Sequence, residues 1–528
     1  MGEMSTLPST IIRPGDKRYA GLSRGFNQRW IGEPEYVRLV RTGEEVRAAL
    51  EQAVNETPAD PSRSRITVRA GGHCYEDFVC GKDVRVILDI SPMCRLYYDE
   101  AMKAYCVEAG ATNRHVYGQL YPVSGKVLPG GSCHSVGLGG HVPAGGFGPL
   151  SRQHGLTVDY LYAVEVAVVD GDRNVKLVVA RRDDDDAERA ELLWAHTGGG
   201  GGNFGIVTRF WFRGLPEPPR NVLVTGLAWA WDDFTRDDFG ELLAGFGEYF
   251  RDNQDPSAAS GKLFGLLKLN HVSNGQIGLL AQVDVDDEEG PAAMREFVAA
   301  VDGRIRPRAV PLRAPMGEHD VVHLPVHGDV PGVMPWLTAA RSLDAVGENR
   351  CGKYKSAYLR EPFTERQINA MWAYLGNGQY TDYENGRALI QVDSYGAAVN
   401  RPLHDTAARQ RDSILKLQYQ VYWTRLDPDE DRHLAWIRDA YRATFEDSGG
   451  VPAVGGATDG CYIGYPDTDL NYDRWNGSGQ TWATLYYKDA YGRLQDVKRR
   501  WDPLDIFRHD QSVRPDGPHE VTVSHGPA

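Results

Sequence analysis

The spacing of apolar residues changes several times along the chain, and the changes predict its elements. Thr42, Gly43, Glu44 and Glu45 have the form of a capping box. Val46, Leu50 and Val54 then recur at helical spacing and predict a helix to about residue 55. Short apolar runs at 66–69, 84–90 and 104–107 predict strands, the first ending in a Gly71-Gly72 turn that carries His73; 111–120 predicts a helix. The second half of 157–170 alternates with period two and ends at Asp170-Gly171, which predicts a hairpin with 175–180. The acidic run 183–186 reads as a solvated turn before a helix at 187–195 rather than a metal site. Glycines 198–202 make no regular element; they read as a tight backbone crossing or a second ligand loop, with a strand over 206–212 leaving it.

Residues 214–221 are rich in proline and polar residues and mark a boundary. Beyond them the pattern shifts to longer strands (262–270, 276–285, 388–395, 416–424) and amphipathic helices. One helix starts at Thr364 and runs through Met371 and Leu375; another is marked by Leu434, Ile437, Tyr441 and Phe445. The pattern predicts an α+β chain: a first domain over 26–215, a second over 222–455 with an antiparallel sheet and helices on one face, and a segment 456–512 closing back on the first. The tail beyond about residue 514 reads as disordered.

Composition narrows the function classes. The chain has 528 residues, 41% hydrophobic and 25% charged, which is globular and too long for a single simple core. A formal charge of −14 argues against nucleic acid or an anionic membrane as partner. The seven cysteines (Cys74, Cys80, Cys94, Cys106, Cys133, Cys351, Cys461) match no zinc spacing, and a disulfide scaffold is not expected at this size. No apolar run reaches the length of about 18 residues that a membrane span needs. The N-terminus lacks a signal-peptide core, so a soluble cytoplasmic protein is the expectation. Twelve Trp and 26 Tyr are explained by core packing and equally suit a pocket for a flat or sugar-like ligand.

The chemistry concentrates in residues 129–155, nine of which are glycine. Such a stretch offers backbone N–H groups to an anion. It lacks the P-loop lysine and the strand–helix setting of a dinucleotide fingerprint. Arg69, Ala70, Gly71, Gly72 and His73 form a second small nest, and two nests suggest a diphosphate held from two sides. His73 and Cys133, each alone, are ordinary structural residues.

Together, R-x-G-G-H at 69–73 and P-G-G-x-C-x-x-V-G-x-G-G-H from 129 resemble the berberine-bridge-enzyme-like FAD-linked oxidases of the vanillyl-alcohol-oxidase (PCMH) fold. Trp194-Ala-His-Thr-Gly, Asn203-Phe-Gly205 and Trp501-Asp-Pro503 match as well, so the resemblance spans about 26–512. Within that family the chain looks most similar to carbohydrate oxidases and sugar-modifying oxidases of antibiotic pathways. The resemblance implies FAD attached twice, through His73 to the 8α-methyl and through Cys133 to C6, with 26–215 as the FAD-binding domain and 222–455 as the substrate domain. It places Arg69, Ala70, Gly71, Gly72, Cys74, Gly130, Gly131, Ser132, Val136, Gly137, Gly139, Gly140, His141, Gly145, Phe147, Gly148, Leu150 and Ser151 around the ring and diphosphate. Asp159, Gly205 and Val207 would lie near the adenosine half.

The resemblance also implies Tyr465, in Tyr462-Ile-Gly-Tyr-Pro-Asp467, as the base that deprotonates a substrate hydroxyl, with Asp393 paired to it and Tyr462 beside the flavin as the second candidate. Gly464 replaces an asparagine of the usual motif. Phe147 replaces a tyrosine. Val136 stands where a small residue admits oxygen to the flavin. The expected activity is oxidation of a hydroxyl on a sugar or glycosylated metabolite, with oxygen reduced to hydrogen peroxide. The rivals are oxidative cyclisation or dehydrogenation of a secondary metabolite on the same fold, and a non-catalytic binding protein.

Overall fold

The computed structural model describes residues 9–310, 312, 332–344, 350–377 and 382–516, and these residues build three sheets. The first has the order β1-β2-β4-β3, from Thr10–Ile12 (β1), Tyr36–Leu39 (β2), Arg65–Arg69 (β3) and Val84–Asp89 (β4), with β2, β4 and β3 parallel. The second has the order β5-β6-β9-β7-β8, from Leu96–Asp99 (β5), Ala104–Glu108 (β6), Leu161–Val169 (β7), Val175–Arg181 (β8) and Ile206–Phe212 (β9). The expected hairpin is present, with Val169 opposite Val175. The first sheet takes in residues well before 26, because β1 pairs with β2, so the domain begins earlier than its motif content suggests.

Between these sheets lies the helix Gly43–Asn55 (α1). The Thr42 hydroxyl accepts from the Glu45 N–H, and the Glu45 carboxylate takes the N–H of Arg41 rather than closing the box on Thr42. Segment 111–120 is not one helix. A short turn at Asn113–His115 widens into a π-helical turn over Val116–Leu120 before resuming, and Pro122 lacks the N–H that an uninterrupted α-helix would need there. Asp186 caps the helix Ala187–Ala195 (α2), accepting from the N–H groups of Glu188 and Arg189, so the acidic run serves a helix start.

The third sheet is antiparallel, in the order β13-β10-β12-β11-β15-β16-β14. Its strands are Asn221–Ala230 (β10), Phe264–Asn270 (β11), Gln276–Asp284 (β12), Gly332–Pro335 (β13), Cys351–Leu359 (β14), Leu389–Ser394 (β15) and Leu415–Trp423 (β16). Helices Arg236–Asp252 (α3), Gly290–Val301 (α4), Glu365–Trp372 (α5) and Glu430–Thr444 (α6) cover one face, and the other face looks into the site. The C-terminal helix Tyr491–Trp501 (α7) returns to α2: Arg493 pairs with Glu191, and Lys498 donates to the carbonyl of Asn203 at 2.9 Å. Among the described residues no helix is long and apolar enough to cross a membrane. None of the seven cysteines, all among the described residues, is joined in a disulfide. The expectation of a disordered tail falls mostly outside the described residues.

Strand β14 has no apolar alternation because Lys353 and Lys355 occupy its helix-covered side. There they meet Glu76, Asp467 and Asp469: Lys353 lies 2.5 Å from Glu76 and 2.7 Å from Asp467, and Lys355 2.8 Å from both aspartates. Arg438 of α6 completes the cluster on Asp469. Burial alone would lower the Lys353 pKa, but Asp467, Asp469 and Glu76 outweigh it and hold it above the ordinary value. The cluster ties the segment after His73 and the segment after Tyr465 to one strand. Lys353→Met leaves the buried Glu76 without its cation and Asp467 with Lys355 alone, and is expected to cost about 3–5 kcal/mol of stability, read as a lower thermal unfolding midpoint.

Candidate active site

A cavity of about 340 Å³ opens between the two smaller sheets and the uncovered face of the third. His73 and Cys133 reach it from separate loops. The loops interlock: a Cβ on Gly71 would stand 2.3 Å from the Gly137 nitrogen, and one on Gly137 would stand 2.2 Å from that of Gly71. Glycine is required there because backbone touches backbone. Gly148 is held the same way against the Gly130 carbonyl, whereas Gly140 and Gly202 have open space before them. The glycine run 198–202 contains the expected backbone crossing and also reaches the cavity. Gly198 crosses the backbone of Ala408, and Gly200, Gly201 and Gly202 line the cavity.

The imidazole of His73 stacks on Phe26, with centroids 4.6 Å apart, and its Nε2 lies 2.8 Å from the Ser135 hydroxyl. Enclosure by protein lowers its pKa to about 4, so it is neutral at pH 7. The same hydroxyl lies 3.5 Å from Cys133 Sγ. The cysteine loop is pinned by Asn113, which donates to the Cys133 carbonyl, by Tyr117 on the Gly130 and Gly131 carbonyls, and by Asp344 on the N–H of His134. His141 accepts from the Gly131 N–H through Nε2, and burial pushes its pKa down to about 4, which suits an acceptor.

The sequence-predicted residues divide. Ala70, Gly71, Gly72, Cys74, Gly131, Ser132, Val136, Gly137, Gly139, Gly140, His141, Phe147, Gly148, Gly205 and Val207 line the cavity with His73 and Cys133. Arg69 lines it as well, but its guanidinium is committed to Asp89, its neighbour across the parallel strands, and to the carbonyls of Leu22 and Arg24, so it braces the turn. Gly130, Gly145, Leu150 and Ser151 stand off the cavity: Leu150 packs beside Trp336, and Ser151 accepts from the Gly148 N–H. Asp159 is also away from it, its carboxylate joined to Arg411 at 2.7 Å and to the N–H of Leu156. Asp159, expected near the adenosine half, thus lies off this cavity, and its charge is spent joining the first domain to the second.

In the same cavity, Tyr465 and Asp393 share a residue the sequence reading missed. Lys416 Nζ lies 3.1 Å from the Tyr465 hydroxyl and 3.2 Å from Asp393 Oδ2. The expected pairing of Asp393 with Tyr465 therefore runs through a buried ammonium. That ammonium sits 4.2 Å from the Tyr465 ring centroid, 5.0 Å from that of Phe147 and 5.1 Å from that of Tyr462. Phe147 thus offers its ring face in place of a hydroxyl. Tyr462 meets Tyr465 edge to face at 4.9 Å, and burial, then Tyr465, raises its pKa above the ordinary phenol value. Gly464 has a steric reason: a Cβ there would lie 2.5 Å from the Tyr462 ring. Gln391, Gln418 and Gln420 continue this wall, with Gln391 donating to Asp393 Oδ1 at 3.0 Å and Gln418 to the Tyr75 hydroxyl at 3.1 Å. The available signal was the K-L-Q-Y-Q alternation at 416–420: polar residues with period two in a predicted strand define a face that looks onto a site.

Residues 34–174 match the FAD binding domain family and residues 461–514 the berberine and berberine-like family. The chain is 41% identical over 518 residues to aclacinomycin-N/aclacinomycin-A oxidase of Streptomyces galilaeus, covering 95% of this chain and 89% of that one. It is 36% identical over 525 residues to hexose oxidase of Chondrus crispus, covering 94% and 93%. The chain belongs to the berberine-bridge-enzyme-like FAD-linked oxidases. The solved structure of CrmK, a flavoenzyme involved in shunt product recycling in caerulomycin biosynthesis, superposes with a TM-score of 0.88 at 40% identity, covering 97% of this chain and 100% of that one.

A berberine-bridge-enzyme-like oxidase needs a site that accepts FAD, and the residues present fit it. The cavity is lined by the interlocked glycine loops, is open before Gly140 and Gly202, and is lined by two nucleophilic side chains that converge on one hydroxyl. The match at 461–514 contains Tyr462 and Tyr465, so the two phenols of the cavity lie within the family's own segment.

Proposed function

We propose that this FAD-dependent oxidoreductase oxidises a hydroxyl-bearing carbon of a sugar or glycosylated natural product, holding its flavin through both His73 and Cys133. The observation that carries the reading is the Tyr465–Lys416–Asp393 cluster in the cavity that His73 and Cys133 also line. Tyr465 takes the proton of the substrate hydroxyl. Lys416 stabilises the phenolate by charge, and Asp393 with Gln391 holds the ammonium in place. Gln418, Gln420 and Tyr75 present amide and phenol groups suited to further hydroxyls of a sugar ring. When bound, FAD would supply the hydride acceptor for the carbon and the route by which oxygen becomes hydrogen peroxide. Oxygen as acceptor is supported by the names of the relatives and by Val136 on the cavity wall.

The test is peroxide formation against aldoses, oligosaccharides and glycosylated antibiotics. Peroxide with at least one of them supports the reading; its absence throughout favours cyclisation or dehydrogenation of another metabolite. Lys416→Met is expected to lower kcat/KM by about 10–100-fold and to move the acidic limb of its pH profile upward, since the phenolate loses its adjacent cation. An unchanged profile contradicts the role given to Lys416.

A further inference from the structure

We propose that Ser135 is the shared proton relay through which His73 and Cys133 become bonded to the flavin. The proposal rests on the reading that both residues are attached, and it assigns a task to a residue that the family motif as read from the sequence leaves unspecified. Two side chains on different loops converge on one hydroxyl, His73 Nε2 at 2.8 Å and Cys133 Sγ at 3.5 Å. The gap is set by the backbone, because Gly71 and Gly137 lock the two loops together in contact. Ser135 itself is exposed, so its hydroxyl is not needed to fill a core.

A serine hydroxyl donates one hydrogen bond while accepting others, which suits it to link two nucleophiles. With the imidazole neutral, Nε2–H donates to Ser135 Oγ. That fixes the tautomer and leaves the lone pair on Nδ1, so the bond to carbon falls to Nδ1. The Ser135 O–H then donates to Cys133 Sγ and favours the thiolate, the reactive form of the side chain. Each attachment forms one N–C or S–C bond and breaks one C–H bond of the flavin. The proton of that C–H and the proton of the nucleophile are released, and an electron pair is left on the cofactor. When Nδ1 bonds to carbon the ring becomes cationic, and Nε2 passes its proton through the exposed Ser135 hydroxyl to solvent. When the thiol ionises, its proton leaves through the same hydroxyl. Molecular oxygen, the acceptor of the proposed oxidase, removes each electron pair as hydrogen peroxide.

The test follows flavin on the peptides bearing residues 73 and 133 by mass spectrometry of acid-denatured full-length protein, sampled at intervals after induction of expression. Ser135→Ala is expected to slow attachment at both sites by about a hundredfold, the low end for a positioned proton-transfer group. Flavin retained before acid treatment should be unchanged. Ser135→Thr restores the rate, and Ser135→Val, of the same shape without the hydroxyl, does not; this pair carries the comparison if the alanine variant fails to fold. Attachment at the unaltered rate in the alanine and valine variants overturns the proposal, as does slowing at one site alone. Unsubstituted protein lacking flavin on both peptides overturns instead the two-bond reading on which the proposal stands.

Discussion

Turnover of Tyr465→Phe is expected to fall by about 10²–10⁴, the range for loss of a positioned general base, while the flavin spectrum and sugar affinity change little. The size follows from where the phenol stands. A free tyrosine, with a pKa of about 10, is a weak base at neutral pH. Tyr465 has the Lys416 ammonium 3.1 Å from its oxygen and 4.2 Å from its ring centroid, so charge favours the phenolate in the state where the proton must be taken. The neighbouring Tyr462 is a poorer candidate, because burial and Tyr465 both disfavour its ionised form. Rate measurements under saturating sugar separate the two phenols. If Tyr465→Phe keeps its turnover and Tyr462→Phe loses it, the assignment of the base is reversed.

The second large effect concerns attachment. Acid-precipitated protein carrying His73→Ala or Cys133→Ala alone is expected to stay yellow, since one bond remains in each. The double variant should release its flavin completely into the acid supernatant. No nearby thiol replaces Cys133: Cys74 lines the same cavity, but burial raises its pKa to about 12, which leaves it as an unreactive thiol at neutral pH. Absorbance of pellet and supernatant settles the point, and release from either single variant would mean that only one bond exists.

Much of this site was legible because its chemistry is written in short, unusual strings. The pairing of Gly-Gly-His at 71–73 with the glycine stretch around Cys133 pointed to two loops on one flat ligand, and the structure brings them to one cavity. The glycines themselves were read too simply: at Gly71 and Gly137 they are needed for loop-on-loop contact, not only for approach to a ligand. Strands 264–270, 276–284, 389–394 and 415–423 followed from their apolar pattern. Strand β14 did not, since Lys353 and Lys355 break the pattern and are buried only because carboxylates distant in sequence meet them. Lys416 escaped for a related reason. A lysine inside a strand reads as solvent-facing until the sheet, Asp393 and Tyr465 are placed around it. Asp159 was misplaced in the opposite sense, because its partner Arg411 lies across the domain boundary.

The most direct test of the account is anaerobic mixing of the purified protein with a panel of sugars and glycosylated antibiotics, followed at the flavin absorbance. The account predicts bleaching by at least one member of the panel, with colour returning and hydrogen peroxide appearing when air is admitted. Flavin that no member of the panel bleaches, while dithionite still reduces it, would contradict the account.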